Sequence, residues 1–309
     1  MQPLKQSSGL TGSTGKMHVD KIEYDQNGYG LDILRAEVNY RPAWGERSAV
    51  FREKARCLLA VSYGHGSRGT LDCFLADNGL HAPTLIFIHG GYWHKGDKSF
   101  YSYVAEPFVA RGVSCITINY DFCPNVRMTD IVQQVRVAMA WIWRNAEALG
   151  VSRKLFVSGH SAGGHLTAMM MATDWASYDS NLPSSLFLGG VPVSGLHDLR
   201  PLVDIPLNDV LRMDAEEATA ISPVNLPLRS NAPQLVVCGQ AESDAFNAQS
   251  DLYVSMFESP DRRLERYAVP GANHFDVMNA FADPEHPFFQ KMLALITARA
   301  DADNRFIAR

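Results

Sequence analysis

Gly159-His160-Ser161-Ala162-Gly163 is the segment of this 309-residue sequence with the most direct chemical potential. A serine hydroxyl becomes a nucleophile when a sharp strand-to-helix turn thrusts it out of the backbone and a base stands within reach of its proton. Glycines on both sides permit that turn, because the backbones approach too closely for a Cβ. Such a string also arises by chance in loops rich in Gly and Ser. Here it follows a strand pattern at Leu155–Ser158 and opens an apolar helix pattern at His165–Thr173. That context selects a nucleophile elbow over an ordinary tight turn, with Ser161 as the nucleophile.

Acyl transfer builds negative charge on the former carbonyl oxygen, and donors fixed beforehand must meet it. His89-Gly90-Gly91-Tyr92-Trp93 directly follows the strand Thr84–Ile88 and can supply them. Gly91 and Tyr92 are the expected backbone donors of an oxyanion hole, with Ala162, the residue after the nucleophile, as the third. A carboxylate and a histidine should then follow in chain order. After the strand 234–238 the chain reads Gly239-Gln240-Ala241-Glu242-Ser243-Asp244. The third position after the strand-ending glycine favours Glu242 as the acid, and Asp244 remains the alternative. His274 lies just past the last strand and is the expected base, taking the Ser161 proton and handing it to the leaving group.

Other chemistries find less support. His89 and His94, like His160 and His165, are spaced five apart, with no HExxH or cysteine pair, so no metal is expected. The site is expected to need no cofactor, since neither GxGxxG after a strand nor GxxxxGK[ST] occurs. The five cysteines (Cys57, Cys73, Cys115, Cys123, Cys238) are scattered, and none falls in a catalytic motif. An odd, unspaced set fits a reducing compartment, so a cytoplasmic location is expected.

These groups need a frame. Runs at 57–63, 70–75, 84–89, 113–119, 154–159, 186–193, 234–238 and 264–269 read as strands, several of them continuously apolar, as in a sheet buried on both faces. Helical patterns fall at 99–111, 129–149, 161–173, 246–257 and 286–300. In 129–149, Ile131, Val135, Ala138, Ile142 and Leu149 form one stripe, with Thr129 as a cap and Gly150 as a stop. Alternating strands and helices predict a mostly parallel central sheet of about eight strands flanked by helices. Residues 1–16 read as a flexible leader or tag, with Met17 as an alternative start, and 17–56 as an N-terminal flank or cover. Residues 57–309 read as one catalytic domain, with a lid-like insertion near 195–231. The 28 basic and 33 acidic residues give a net charge of −5, which argues against nucleic-acid or anionic-membrane partners. No apolar run approaches the roughly 18 residues that span a bilayer.

Over roughly residues 57–300 the sequence resembles the α/β-hydrolase superfamily and, more narrowly, its kynurenine formamidase (arylformamidase) group and related HGGYW esterases. His89-Gly90-Gly91-Tyr92-Trp93, Gly96-Asp97-Lys98, Tyr63-Gly64 with Leu71-Asp72, Gly159–Leu166, and Glu242-Ser243 with Phe246 carry the likeness. The resemblance implies metal-free hydrolysis of an aryl formamide such as N-formyl-L-kynurenine to formate and the free amine. A carboxylesterase or amidase acting on a small aromatic or short-chain substrate is the alternative. The group's acid is commonly aspartate, so Glu242 is a departure. Trp93, His160, Phe246 and Phe275 lie beside the catalytic motifs and are the expected substrate-binding residues, favouring an aromatic substrate. Aromatics so placed can equally serve only to support the backbone. Hydrolases of this kind are often dimers, so a homodimer is the assembly to look for.

Overall fold

The computed structural model describes residues 31–64 and 66–307. The expected leader 1–16, the start at Met17 and the flank up to residue 30 lie outside the described residues. Short apolar runs between turns form β1 (Cys57–Ser62), β2 (Thr70–Phe74), β3 (Thr84–Ile88), β4 (Ser114–Ile118), β5 (Leu155–His160), β6 (Gly189–Val193), β7 (Gln234–Gly239) and β8 (Leu264–Val269). The expected runs coincide with these to within one residue, except that 186–193 becomes a strand only at Gly189. The eight strands form one sheet in the order β1-β2-β4-β3-β5-β6-β7-β8. β1 and β2 run antiparallel at one edge, and β4, β3, β5, β6, β7 and β8 are parallel.

The helices are α1 (Leu31–Lys54), α2 (Glu106–Val109), α3 (Met128–Leu149), α4 (Ala162–Ala172), α5 (Trp175–Tyr178), α6 (Asn208–Leu211), α7 (Ala215–Ala220), α8 (Asp244–Phe257), α9 (Asp276–Phe281) and α10 (Pro287–Ile307). They cover both sheet faces. Ile86 and Ile88 of β3 join a core with α3, α4 and Phe246 of α8. Leu85 and Phe87 of the same strand join a second core with Trp44 of α1, Phe281 of α9 and Met292 of α10. Period-two alternation thus sends successive β3 side chains into opposite cores.

Three local expectations change. Residues 98–105 wind as a 3₁₀ helix, and only Glu106–Val109 is α-helical. Pro107 lacks an N–H and fits only the first turn, so an α-helix can start just before it and not earlier. The stripe in α3 is buried and Gly150 ends it at φ 75°, but Thr129 lies inside the helix instead of capping it. Asp130 accepts from the Arg127 N–H at 2.9 Å, while Thr129 donates through N and Oγ1 to Glu217 of α7 at 3.0 and 2.9 Å. The flank also holds a 24-residue helix, α1, with Pro42 inside it.

Candidate active site

Parallel strands in register end together, and the residues just past their carboxyl ends meet at one edge. Ile88 pairs with Gly159, His160 with Val193, and Gly239 with Val269. Directly beyond these ends stand Gly90 and Gly91, Ser161, Ser194, Glu242 and His274.

Ser161 occupies φ 57°, ψ −116°, a conformation costly for any residue with a Cβ. Its N–H donates to Val193 O at 2.8 Å, and α4 starts at the next residue. Gly163 is required by contact: a Cβ there would stand 1.9 Å from Ile88 O. Ala162 opens α4, so its N–H is one of the donors that a helix start leaves without an intrahelical partner.

His274 Nδ1 donates to Glu242 Oε2 at 2.6 Å, and both side chains are almost wholly buried. The other carboxylate oxygen, Oε1, accepts from Ser194 Oγ at 2.5 Å and from the Gly239 N–H at 2.7 Å. Burial pushes the Glu242 pKa up, but His274, Ser194 and Gly239 outweigh it and hold the carboxyl down at about 2. Asp244 is exposed at the first position of α8, where its charge suits the helix dipole. Glu242, and not Asp244, therefore reaches the histidine.

His160 Nε2 bonds the His274 backbone oxygen at 2.8 Å. A carbonyl only accepts, so the proton sits on Nε2. Burial, assisted by His274, lowers the His160 pKa to about 3 and keeps the ring neutral. The His274 loop is also braced from the N-terminal flank. Asn273 Oδ1 accepts from the N–H groups of Phe275 and Asp276 at 2.8 and 3.0 Å, and its Nδ2 donates to Tyr40 Oη of α1 at 3.0 Å.

The glycine loop turns at three successive positive φ angles, Gly91 at 119°, Tyr92 at 48° and Trp93 at 55°. The Gly91 carbonyl accepts from the N–H groups of His94 and Lys95, both at 3.1 Å. Arg68 ties the far end down through Gly96 O at 2.9 Å.

A cleft of about 20 Å³ is lined by Glu37, Gly91, Tyr92, Lys95, Tyr101, His160, Ser161, His274 and Phe275. The structure thus brings Ser161, His274, Gly91, Tyr92, His160 and Phe275 together. Two expected substrate-binding residues are not among the lining. Trp93 is fully buried behind the loop, edge-on to His165 at 5.2 Å, and Phe246 is buried against the His274 ring at 4.7 Å. Both support the backbone and the imidazole because their rings point into the core. Among the described residues, α1 and the loop after β3 contribute Glu37 and Lys95 to the lining, and no residue of 195–231 does. Sequence reasoning missed Ser194, Glu37, Lys95 and Tyr101. Ser194 carried a usable signal, as a polar residue immediately after an apolar strand. No helix among the described residues is long and apolar enough to cross a membrane.

The BD-FAE family model matches residues 71–187. Kynurenine formamidase from Salmo salar is 31% identical over 272 residues, covering 86% of this chain and 90% of that protein. Kynurenine formamidase from Danio rerio is 30% identical, covering 86% and 89%. A solved structure from Silicibacter sp. TM1040, provisionally named a thioesterase, is 34% identical with a TM-score of 0.72, covering 84% of this chain and 93% of that one. These likenesses and the sheet topology make the chain an α/β-hydrolase. It belongs to the kynurenine formamidase family.

Proposed function

We propose that the protein hydrolyses an aryl formamide of the N-formyl-L-kynurenine type through Ser161, His274 and Glu242. The observation that carries this reading is the buried Glu242–His274 bond at 2.6 Å, set beside a positive-φ serine in a cleft of about 20 Å³. A narrow cleft at the nucleophile suits the smallest acyl unit, formyl.

His274, oriented by Glu242, takes the Ser161 proton as Oγ bonds to the formyl carbon. The N–H groups of Gly91, Tyr92 and Ala162 hold the oxyanion. The carbon–nitrogen bond then breaks, and the aryl amine leaves with the proton from His274. A water, deprotonated by His274, releases formate from the formyl-serine and restores the Ser161 hydroxyl. The provisional thioesterase name of the 34% identical structure favours a second reading, hydrolysis of a small ester or thioester.

The two separate on the ratio of kcat/KM for N-formyl-L-kynurenine to that for a short aryl ester. A ratio above one, lost for both substrates in Ser161→Ala, is the expected result. Preference for the ester by orders of magnitude would sink the formamidase reading, and activity surviving Ser161→Ala would sink the nucleophile.

A further inference from the structure

Glu37 of α1 and Lys95 of the loop after β3 form an ion pair at the cleft that contains Ser161 and His274. Lys95 Nζ donates to Glu37 Oε2, and Arg41 stands 3.7 Å from Oε1 on the far side. The side chains are 27% and 11% exposed. A pair this far removed from water returns little stability, because losing hydration offsets most of the attraction. Its placement is what calls for a reason. Among the described residues that line the cleft, Glu37 is the only acid and Lys95 the only Lys or Arg side chain.

The pair also adjoins the acyl position. A Cβ on Gly91 would lie 3.2 Å from Lys95 Cγ, so the lysine stem starts against the proposed oxyanion loop. Glu37 and Lys95 both line the cleft, so a substrate seated over Ser161 meets the pair. A substrate tail that bonds both side chains must part them. Parting leaves the Lys95 ammonium without its carboxylate, and Glu37 with only Arg41 at 3.7 Å, in a partly dry cleft, which is costly. A substrate tail bearing both a carboxylate and an ammonium re-satisfies the two together. A tail with one charge leaves the other side chain unmatched, and an uncharged tail matches neither.

We propose that Glu37 and Lys95 are specificity-determining residues that select aryl formamides carrying an α-amino-acid group, by exchanging their ion pair for two charge-assisted contacts with the substrate. Lys95 takes the substrate carboxylate and Glu37 its ammonium. The inference rests on the formamidase reading and adds to it the two residues that select the substrate's charged tail.

The test uses three substrates with one formamide: N-formyl-L-kynurenine, its desamino analogue, and 2′-formamidoacetophenone, which lacks the charged tail. In Lys95→Met the kcat/KM ratio of the first to the third should fall about tenfold, the low end for losing a hydrogen bond to a charged group. The loss should appear in KM and not in kcat. Glu37→Gln should lower the ratio of the first to the third by a similar factor and leave the ratio of the second to the third in place. Equal losses on all three substrates in both variants would assign the pair to holding α1 and overturn the proposal. Failure of the unaltered enzyme on every formamide overturns the formamidase reading itself, a result separable from unchanged ratios in an active enzyme. Should Lys95→Met fold poorly by circular dichroism, the isosteric Glu37→Gln decides alone.

Discussion

Replacing Glu242 by glutamine keeps the side chain's shape and changes what it can offer His274. The carboxylate accepts from Ser194 Oγ and the Gly239 N–H on Oε1, and from His274 Nδ1 on Oε2. The Gly239 N–H can only donate, so the amide oxygen of Gln must take the Oε1 position. The amide NH₂ then falls where Oε2 stood, 2.6 Å from Nδ1, and a donor there forces Nδ1 to become an acceptor. The ring proton moves to Nε2, and the imidazole can no longer take the proton from Ser161. The same amide swap in a serine protease costs about 10⁴ in kcat, or about 5 kcal/mol of barrier. A loss of that order is expected here, with KM little changed, because Glu242 is not part of the cleft lining. Steady-state kinetics on N-formyl-L-kynurenine and an aryl ester should show the same factor for both. Asp244→Asn is the control and should stay within about twofold, as exposed substitutions usually do. A loss under tenfold in Glu242→Gln, or an equal loss in Asp244→Asn, would refute the tautomer argument.

Ser194→Ala removes one of the three donors to Glu242 and should lower kcat about tenfold, the lower value for a hydrogen bond to a charged group. It should also raise the acid-unfolding midpoint. The Glu242 pKa of about 2 lies below the ordinary value near 4.3, so its stabilising effect is complete above that value and fades as pH falls toward 2. With a donor gone the folded pKa rises and the effect shrinks; circular dichroism between pH 5 and 2 reads the shift, and an unmoved midpoint counts against it. Gly163→Ala places a Cβ 1.9 Å from Ile88 O and 2.9 Å from His89 O, both backbone atoms that cannot swing away. Denaturant unfolding should show a loss of about 3 kcal/mol or more, and a loss under 1 kcal/mol would mean the elbow relaxes freely.

Strand positions were legible because buried parallel strands are continuous apolar runs, and β3, β5, β6 and β7 are buried along their whole lengths. The elbow, the glycine loop and His274 were legible because each follows such a run, so locating a strand end locates the chemistry. What escaped lies at longer range. α1 contains Pro42 and shows no strong apolar stripe, so nothing local marks it as helical. Yet it supplies Glu37 to the cleft and Tyr40 to the Asn273 bracing. Trp93 and Phe246 fall beside motifs in the chain, but adjacency does not say which way a ring turns. Their complete burial follows from the packing of α4 and α8 on the sheet, which spacing alone cannot resolve.

Glu242 gains a physical account where the resemblance leads one to expect aspartate. Its longer side chain does not push His274 outward, because it first folds back on its own turn. The Glu242 N–H bonds Gly239 O at 3.1 Å, and Oε1 returns to accept the Gly239 N–H at 2.7 Å. The extra methylene is taken up in closing that turn, and Oε2 still meets Nδ1 at 2.6 Å. The folded-back carboxylate also comes within reach of Ser194, which sits past β6 at φ 49° and donates to the same oxygen. The acid is therefore positioned by two strand ends at once, β7 through the glycine N–H and β6 through the serine hydroxyl. An aspartate at position 242 would be one methylene short of closing that turn and reaching His274 together, so the glutamate and Ser194 form a single device, to be altered together in any exchange of the acid.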